Sequence, residues 1–186
     1  MVSAETNNET VAYDAAGIQV SRSVNGVMTR YLVDRNRPYA QVLEEQTDNS
    51  VASYTFGNDL QSQKRGTENR YFHYDHLGST RHLTDESETV TDAYDYHAFG
   101  EPLSVSGGTL NPYLFTGEQH SPETGLVYLR ARYYSPGVGR FLTRDTWNGR
   151  RGEPITLHKY LYANANPMVF VDPTGHDPSK RSLGKK

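Results

Sequence analysis

Along most of this chain apolar residues come in short runs that partly alternate with polar ones, and helical spacing is scarce. VMTRYLV (27–33), RYFHY (70–74) and VTDAYDYHAF (90–99) set Val, Tyr and Phe against Thr, Arg, His and Asp with a period near two. That period turns one face of each run toward a core and the other toward water, so the runs predict strands. Turn signals separate them. YDAAG at 13–17 returns as YDHLG at 74–78, both reading Tyr-Asp-x-x-Gly. In such a corner the carboxylate of Asp14 or Asp75 accepts backbone N–H groups two residues on, and Gly17 or Gly78 supplies positive φ. RYLVDRNR (30–37) is a weaker echo that keeps Asp34 but has no glycine, and SYTFG (53–57) resembles YHAFG (96–100). Loose repetition of short strands and hairpin corners predicts an all-β fold. The best helical segment is LHKYLYANAN (157–166), stopped by Pro167, which predicts at most one or two short helices near the C-terminus.

Two runs break the pattern by ending on an aspartate. GRFLTRDTW (139–147) opens on Gly139 and Arg140 and reaches Asp145; NPMVFVDPTGH (166–176) reaches Asp172. In one reading both are turn starters. Asp172-Pro173-Thr174-Gly175 has Asp, Pro and Gly where a β-turn favours them, and Asp145 caps a turn before Trp147. In the other, the strands bring the two carboxylates together. Two close carboxylates cannot both ionise, so one would keep a proton as general acid while the other polarises water.

Composition narrows the field. Hydrophobic residues make up 35% of the chain, with 14 Tyr against 6 Phe and 1 Trp. The core must therefore lean on tyrosine, whose hydroxyl needs a partner when the ring is buried. Net charge is -3 with both signs interspersed, which argues against a nucleic-acid footprint. With 0 Cys, neither disulfides nor thiolate metal sites contribute. No apolar run reaches membrane-spanning length, and MVSAETNNET has no apolar core of a signal peptide, so localisation stays open. Asn8-Glu9-Thr10 is a glycosylation sequon that matters only on export. His73 and His76, three apart, fall on opposite faces of a strand, and TDESETVTD (84–92) follows no calcium-loop spacing and reads as a solvated hairpin tip; no metal or cofactor is predicted. Four segments are expected: repeats over 1–103, a Gly-rich flexible joint SVSGGTLNP over 104–112, a denser unit over 113–176, and a basic, disordered tail over 177–186.

FTGEQHSPETGLVYLRARYYSPGVGRFLTRDTW followed by KYLYANANPMVFVDPTGH closely resembles the C-terminal core domain of RHS/YD-repeat proteins. The upstream YDxxG segments look like the last YD repeats of the same family, so the resemblance runs from about Val11 to His176. It implies a long antiparallel β-strip that spirals into a hollow shell, with the core domain plugging one end around a C-terminal passenger, often a toxin. In several branches that domain cuts its own chain just beyond the DP-x-G turn by an aspartyl-type reaction. Carried over by motif, the resemblance implies Asp145, Asp172 and Arg132 as the catalytic set, with His176 and Asp177 flanking the cut. Many relatives have Leu where this chain has His176, and turn aspartates where it has Ser121 and Ser135. Arg130 and Arg132, two apart in RARYY, are expected on one strand face. With ten residues after His176, an orphan or truncated module is the expectation. The expected partners are a longer YD-repeat shell chain or a second copy, with a toxin passenger in relatives, which are secreted or at the cell surface. A non-enzymatic surface module that stacks tyrosines on carbohydrate is the alternative, and a free glycosidase is weaker still.

Overall fold

The computed structural model describes residues 9–176 and 178–180. Asn8 of the sequon, Asp177 and residues 181–186 lie outside the described residues. Ten strands run antiparallel in chain order: β1 (Glu9–Tyr13), β2 (Gln19–Val24), β3 (Val27–Asp34), β4 (Gln41–Gln46), β5 (Val51–Phe56), β6 (Leu60–Arg65), β7 (Glu68–Tyr74), β8 (Thr80–Thr84), β9 (Val90–Tyr96) and β10 (Pro102–Ser106). Every neighbour in the sheet is a neighbour in sequence, so each pairing needs only a short turn. The sheet is not closed: β1 and β10 each pair with a single strand, and every residue of β10 is exposed.

The alternation seen in the sequence sorts the two faces. Ala52, Tyr54, Leu60, Phe72, Leu83 and Tyr94 point inward and are buried with Tyr113, which crosses over them. Opposite them Ser53, Tyr71, His73 and His82 take the other positions of their strands, His73 and His82 exposed in register with each other. The acidic stretch forms the β8–β9 hairpin tip, where Asp85 Oδ1 accepts the N–H groups of Ser87 (2.9 Å) and Thr89 (3.0 Å).

Beyond β10 the chain folds back on the sheet. Four short strands, β11 (Gln119–His120), β12 (Val127–Leu129), β13 (Arg132–Ser135) and β14 (Arg140–Phe141), make a second antiparallel sheet. Its core is Phe115, Val127, Leu129, Tyr134, Phe141, Tyr162 and Ala163. Tyr134 and Tyr162 stack with ring centroids 4.1 Å apart, and the Tyr134 hydroxyl donates to the Phe99 carbonyl at 2.7 Å. Tyr96 packs against both cores. The second unit grips the sheet at the YDHLG corner: Thr80 donates its hydroxyl to the Tyr113 carbonyl (2.6 Å), and Ser79 Oγ accepts from Thr116 N (3.0 Å).

At three places the structure adds local detail. The helix over 157–166 is absent; 3-10 turns at Pro154–Leu157 and Ala163–Ala165 take its place. Leu157, first of that segment, is exposed, whereas Tyr162 and Ala163 are buried. Positive φ at Ala163, Asn164 and Ala165 then bends the chain back. The joint at 104–112 begins as strand, since Ser104–Ser106 belong to β10, and Thr109 is tied down: buried Asp92 accepts its N–H (2.9 Å) and its hydroxyl (2.5 Å). Within the expected tail, β16 (Ser179–Lys180) pairs with β15 (Phe170–Val171). That pairing uses main-chain groups, so it needs no apolar anchor.

Candidate active site

The β12–β13 hairpin is as tight as a hairpin can be. Leu129 faces Arg132, which leaves Arg130 and Ala131 as the two turn residues. Arg130 takes φ 59°, the left-handed conformation that two-residue hairpins demand. Arg130 therefore lies outside the strand, and the one-face alternation expected for Arg130 and Arg132 does not apply. Both nevertheless converge on the DPTG turn. Arg130 ion-pairs with Glu118 (2.9 Å), donates to the Pro173 carbonyl, and lies over the Tyr39 ring at 5.5 Å.

Arg132 is the hub. Its side chain is buried, stacked on the Phe141 ring 3.5 Å from the centroid. Its Nε donates to the Gly175 carbonyl and its Nη1 to the Lys159 carbonyl (3.1 Å). The remaining nitrogen, Nη2, meets both acids: Asp145 Oδ2 at 2.7 Å and Asp172 Oδ2 at 3.7 Å. Asp145 is delivered by the chain that leaves β14, where its N–H donates to the Lys159 carbonyl (3.0 Å). Its Oδ1 accepts from Trp147 N (2.8 Å), so the turn-cap reading of Asp145 holds as well. Asp172 follows β15 and starts the predicted turn, in which Gly175 N donates to the Asp172 carbonyl at 3.3 Å.

Gly175 is required there. It has φ 75°, and a Cβ would stand 2.4 Å from the Leu129 carbonyl, so the junction packs directly against the Arg130 hairpin. Gly139 has φ 70° and lies against Phe99, which brings Arg140 into β14 and turns the chain toward Asp145. Pro167 follows the last 3-10 turn and is buried. Asp14, Gly17, Asp75 and Gly78 form hairpin corners far along the chain and belong to the sheet.

Burial sets the electrostatics. Asp172 is 1% exposed and Asp145 9%. Asp172 Oδ1 accepts from His176 N (3.0 Å) and from the Thr174 hydroxyl (3.2 Å), yet Oδ2 is buried with no hydrogen-bond donor. Desolvation outweighs the help of Arg132 and these donors, and pushes the Asp172 carboxyl up to about 6. The same burial lowers the Arg132 guanidinium, opposed by the two acids. His176, partly exposed, brings Nδ1 to 2.8 Å from Asp145 Oδ1. Beside the site, a groove of about 520 Å³ is lined by residues that include Tyr13, Tyr39, Arg130, Arg132, Tyr133 and Thr174.

Arg132, Asp145, Asp172 and His176 thus meet, as their motifs implied; Asp177 lies outside the described residues. Sequence reasoning missed Phe141 under the guanidinium and the Lys159 carbonyl that ties Arg132 to Asp145. Phe141 carried a signal, an aromatic one residue from Arg140 in an apolar run; a main-chain carbonyl carries none. His73 and His76 do not share a site: His73 Nε2 meets Thr84 Oγ1 (3.0 Å) and His76 Nε2 the Met168 carbonyl (3.3 Å).

Residues 3–168 match the Teneurin YD-shell family. The chain belongs to this family. Arg132 and Asp145 fall inside the matched span and Asp172 and His176 just beyond it. Among curated proteins, the tRNA nuclease WapA of Bacillus subtilis is 35% identical over 173 residues, 90% of this chain and 7% of its own length. Double-stranded DNA deaminase toxin A of Burkholderia cenocepacia is 30% identical over 173 residues, 90% of this chain and 12% of its own length. The YD-shell chain thus spans only a small part of these relatives. Among solved structures, TcdB2-TccC3-TEV superposes with a TM-score of 0.71 at 18% identity, covering 94% of this chain and 9% of that one. This last likeness concerns the fold.

Proposed function

We propose that this YD-shell module is the end plug of a β-cage that encloses a C-terminal passenger and cuts the chain between His176 and Asp177 to free it. The single observation that carries the cleavage is the convergence of Asp145 and Asp172 on one buried arginine that also holds the Gly175 carbonyl, one residue from the proposed cut. The nuclease and toxin names of two long relatives, of which the matched region is a small part, support a passenger-carrying role. The open edges of β1 and β10 suit continuation by a longer YD-repeat shell chain or by a second copy.

In the reaction, water adds to the His176 carbonyl carbon and the C–N bond to Asp177 breaks. Asp145, ion-paired to Arg132, takes the proton from water. Asp172, with a carboxyl at about 6, gives its proton to the leaving nitrogen. The products are a carboxyl group on His176 and an amine on Asp177, so water is consumed and the two acids together end with the protons they began with. Arg132 offsets the charge that develops between them.

Intact mass followed over time tests this. The full chain loses residues 177–186, and Asp145→Asn and Asp172→Asn keep them. Because Asp172 must hold a proton to act as the acid, cleavage slows by about tenfold per pH unit above about 6. An unchanged mass in all three proteins from pH 5 to 8 overturns cleavage and leaves a plug that only encloses.

A further inference from the structure

Each acid of the site has one oxygen turned toward Arg132 and the other toward His176. The inner pair, Asp145 Oδ2 and Asp172 Oδ2, share Nη2, and Asp172 Oδ2 accepts no hydrogen bond. The outer pair is fully occupied. Asp145 Oδ1 takes Trp147 N and the His176 imidazole, each at 2.8 Å. Asp172 Oδ1 takes the Thr174 hydroxyl at 3.2 Å and the amide of His176 itself at 3.0 Å. One residue therefore touches both acids, with its ring on one and its main chain on the other.

We propose that His176 is a positioning residue: it braces both aspartates by their outer oxygens, so that the residue preceding the cut completes the site that makes it. The inference rests on the cleavage reading above. Its physical basis is the soft torsion of a carboxylate about its last bond, which has a broad minimum and needs donors to hold its plane. With the imidazole removed, Asp145 Oδ1 keeps only Trp147 N, and that single bond is left to oppose rotation of the carboxylate further onto Arg132. An imidazole facing a carboxylate presents N–H rather than a lone pair, so the brace requires a proton on Nδ1. The brace is part of the substrate, so the site acts in cis and is complete only while 172–176 is seated as a turn.

The test measures cleavage by intact mass in the full chain with His176, His176→Leu and His176→Asn. Asparagine sets its amide nitrogen near the place of Nδ1 and can donate to Asp145; leucine cannot. His176→Leu slows cleavage about tenfold or more, the loss expected of one hydrogen bond to a charged group, and His176→Asn recovers most of it. A leucine variant as fast as the parent overturns the brace, and so does an asparagine variant as slow as leucine. Nitrogen-15 NMR of the His176 ring gives a readout apart from cleavage. If no protein cleaves, the cleavage reading fails, and the ring decides the brace: an Nδ1–H form that is lost in Asp145→Asn upholds it, and an Nε2–H form overturns it.

Discussion

The Asp-x-x-Gly turn occurs in the repeat sheet at 14–17 and 75–78 and again at the junction, at 172–175, and the local geometry barely changes. Asp14 Oδ1 accepts the N–H groups of Ala16 (2.8 Å) and Ile18 (3.0 Å); Asp75 Oδ1 those of Leu77 (2.9 Å) and Ser79 (3.0 Å). Asp172 Oδ1 accepts the same fourth-residue N–H, that of His176, at 3.0 Å. The surroundings differ. Asp14, with a side chain 16% exposed, pairs with the exposed Arg35, and its backbone donors, Ile18 first, hold its carboxyl below the usual range. Asp172 is buried against Arg132, and desolvation pushes its carboxyl up to about 6. One turn thus carries a lowered carboxyl in the sheet and a raised one at the junction. The hydrogen bonds make the turn; at Asp172 desolvation is the largest influence, outweighs them and reverses the direction of the shift.

That comparison can be broken most forcefully at the arginines. Arg132→Met leaves two buried acids without their cation and is expected to cost about 3–5 kcal/mol of stability. Arg35→Met, at a side chain 52% exposed, should change stability by less than about 0.5 kcal/mol. Urea denaturation of both variants checks this, and equal losses would erase the distinction between the two turns.

The glycines separate next. Gly17 and Gly175 share positive φ, but a Cβ at Gly17 meets nothing within 4 Å whereas at Gly175 it meets the Leu129 carbonyl at 2.4 Å. Gly17→Ala is expected to cost about 1 kcal/mol from the backbone alone, and Gly175→Ala about 2–4 kcal/mol together with loss of cleavage. Thermal unfolding of the two variants measures the gap.

The smallest effect is the most specific, because it has opposite signs in the two turns. The Asp172 carboxyl is raised on folding, so its charged form opposes folding fully above about 6 and not at all below its ordinary value near 3.8. The parent chain should lose stability relative to Asp172→Asn as pH rises from 4 to 7, by at most about 3 kcal/mol. The Asp14 carboxyl is lowered on folding, so the stability it adds is present above the ordinary value and lost as pH falls below it. The parent should therefore lose stability relative to Asp14→Asn on acidification. Stability curves for the three proteins from about pH 2 to about pH 7 give both signs at once.

Much of the architecture was legible before any coordinate. The period-two runs became β3, β7 and β9, and YDAAG and YDHLG became the corners they spelled, because pairing between sequence neighbours needs only local signals. The candidate site residues came from the family resemblance that DPTG and TRDTW carry, since as local signals both motifs read as turn starters. What misled were places where local signals yielded to packing. LHKYLYANAN reads as helix by spacing, but Tyr162 must reach the stack with Tyr134 and Phe115, and the chain bends to put it there. RARYY reads as continuous alternation, but the turn falls on Arg130 and Ala131.

By itself, then, the order of residues determined the strands, the corners and which carboxylates sit beside which turns, since each depends on a few consecutive side chains and on backbone preference. Only the tertiary structure decided that Asp172 would be dry while Asp14 stays partly exposed, that Arg132 would face two acids at once, and that His176 would touch both. Those outcomes depend on how deeply a turn is covered by residues tens of positions away, and the free energy of a charge is set by that cover rather than by its neighbours in the chain.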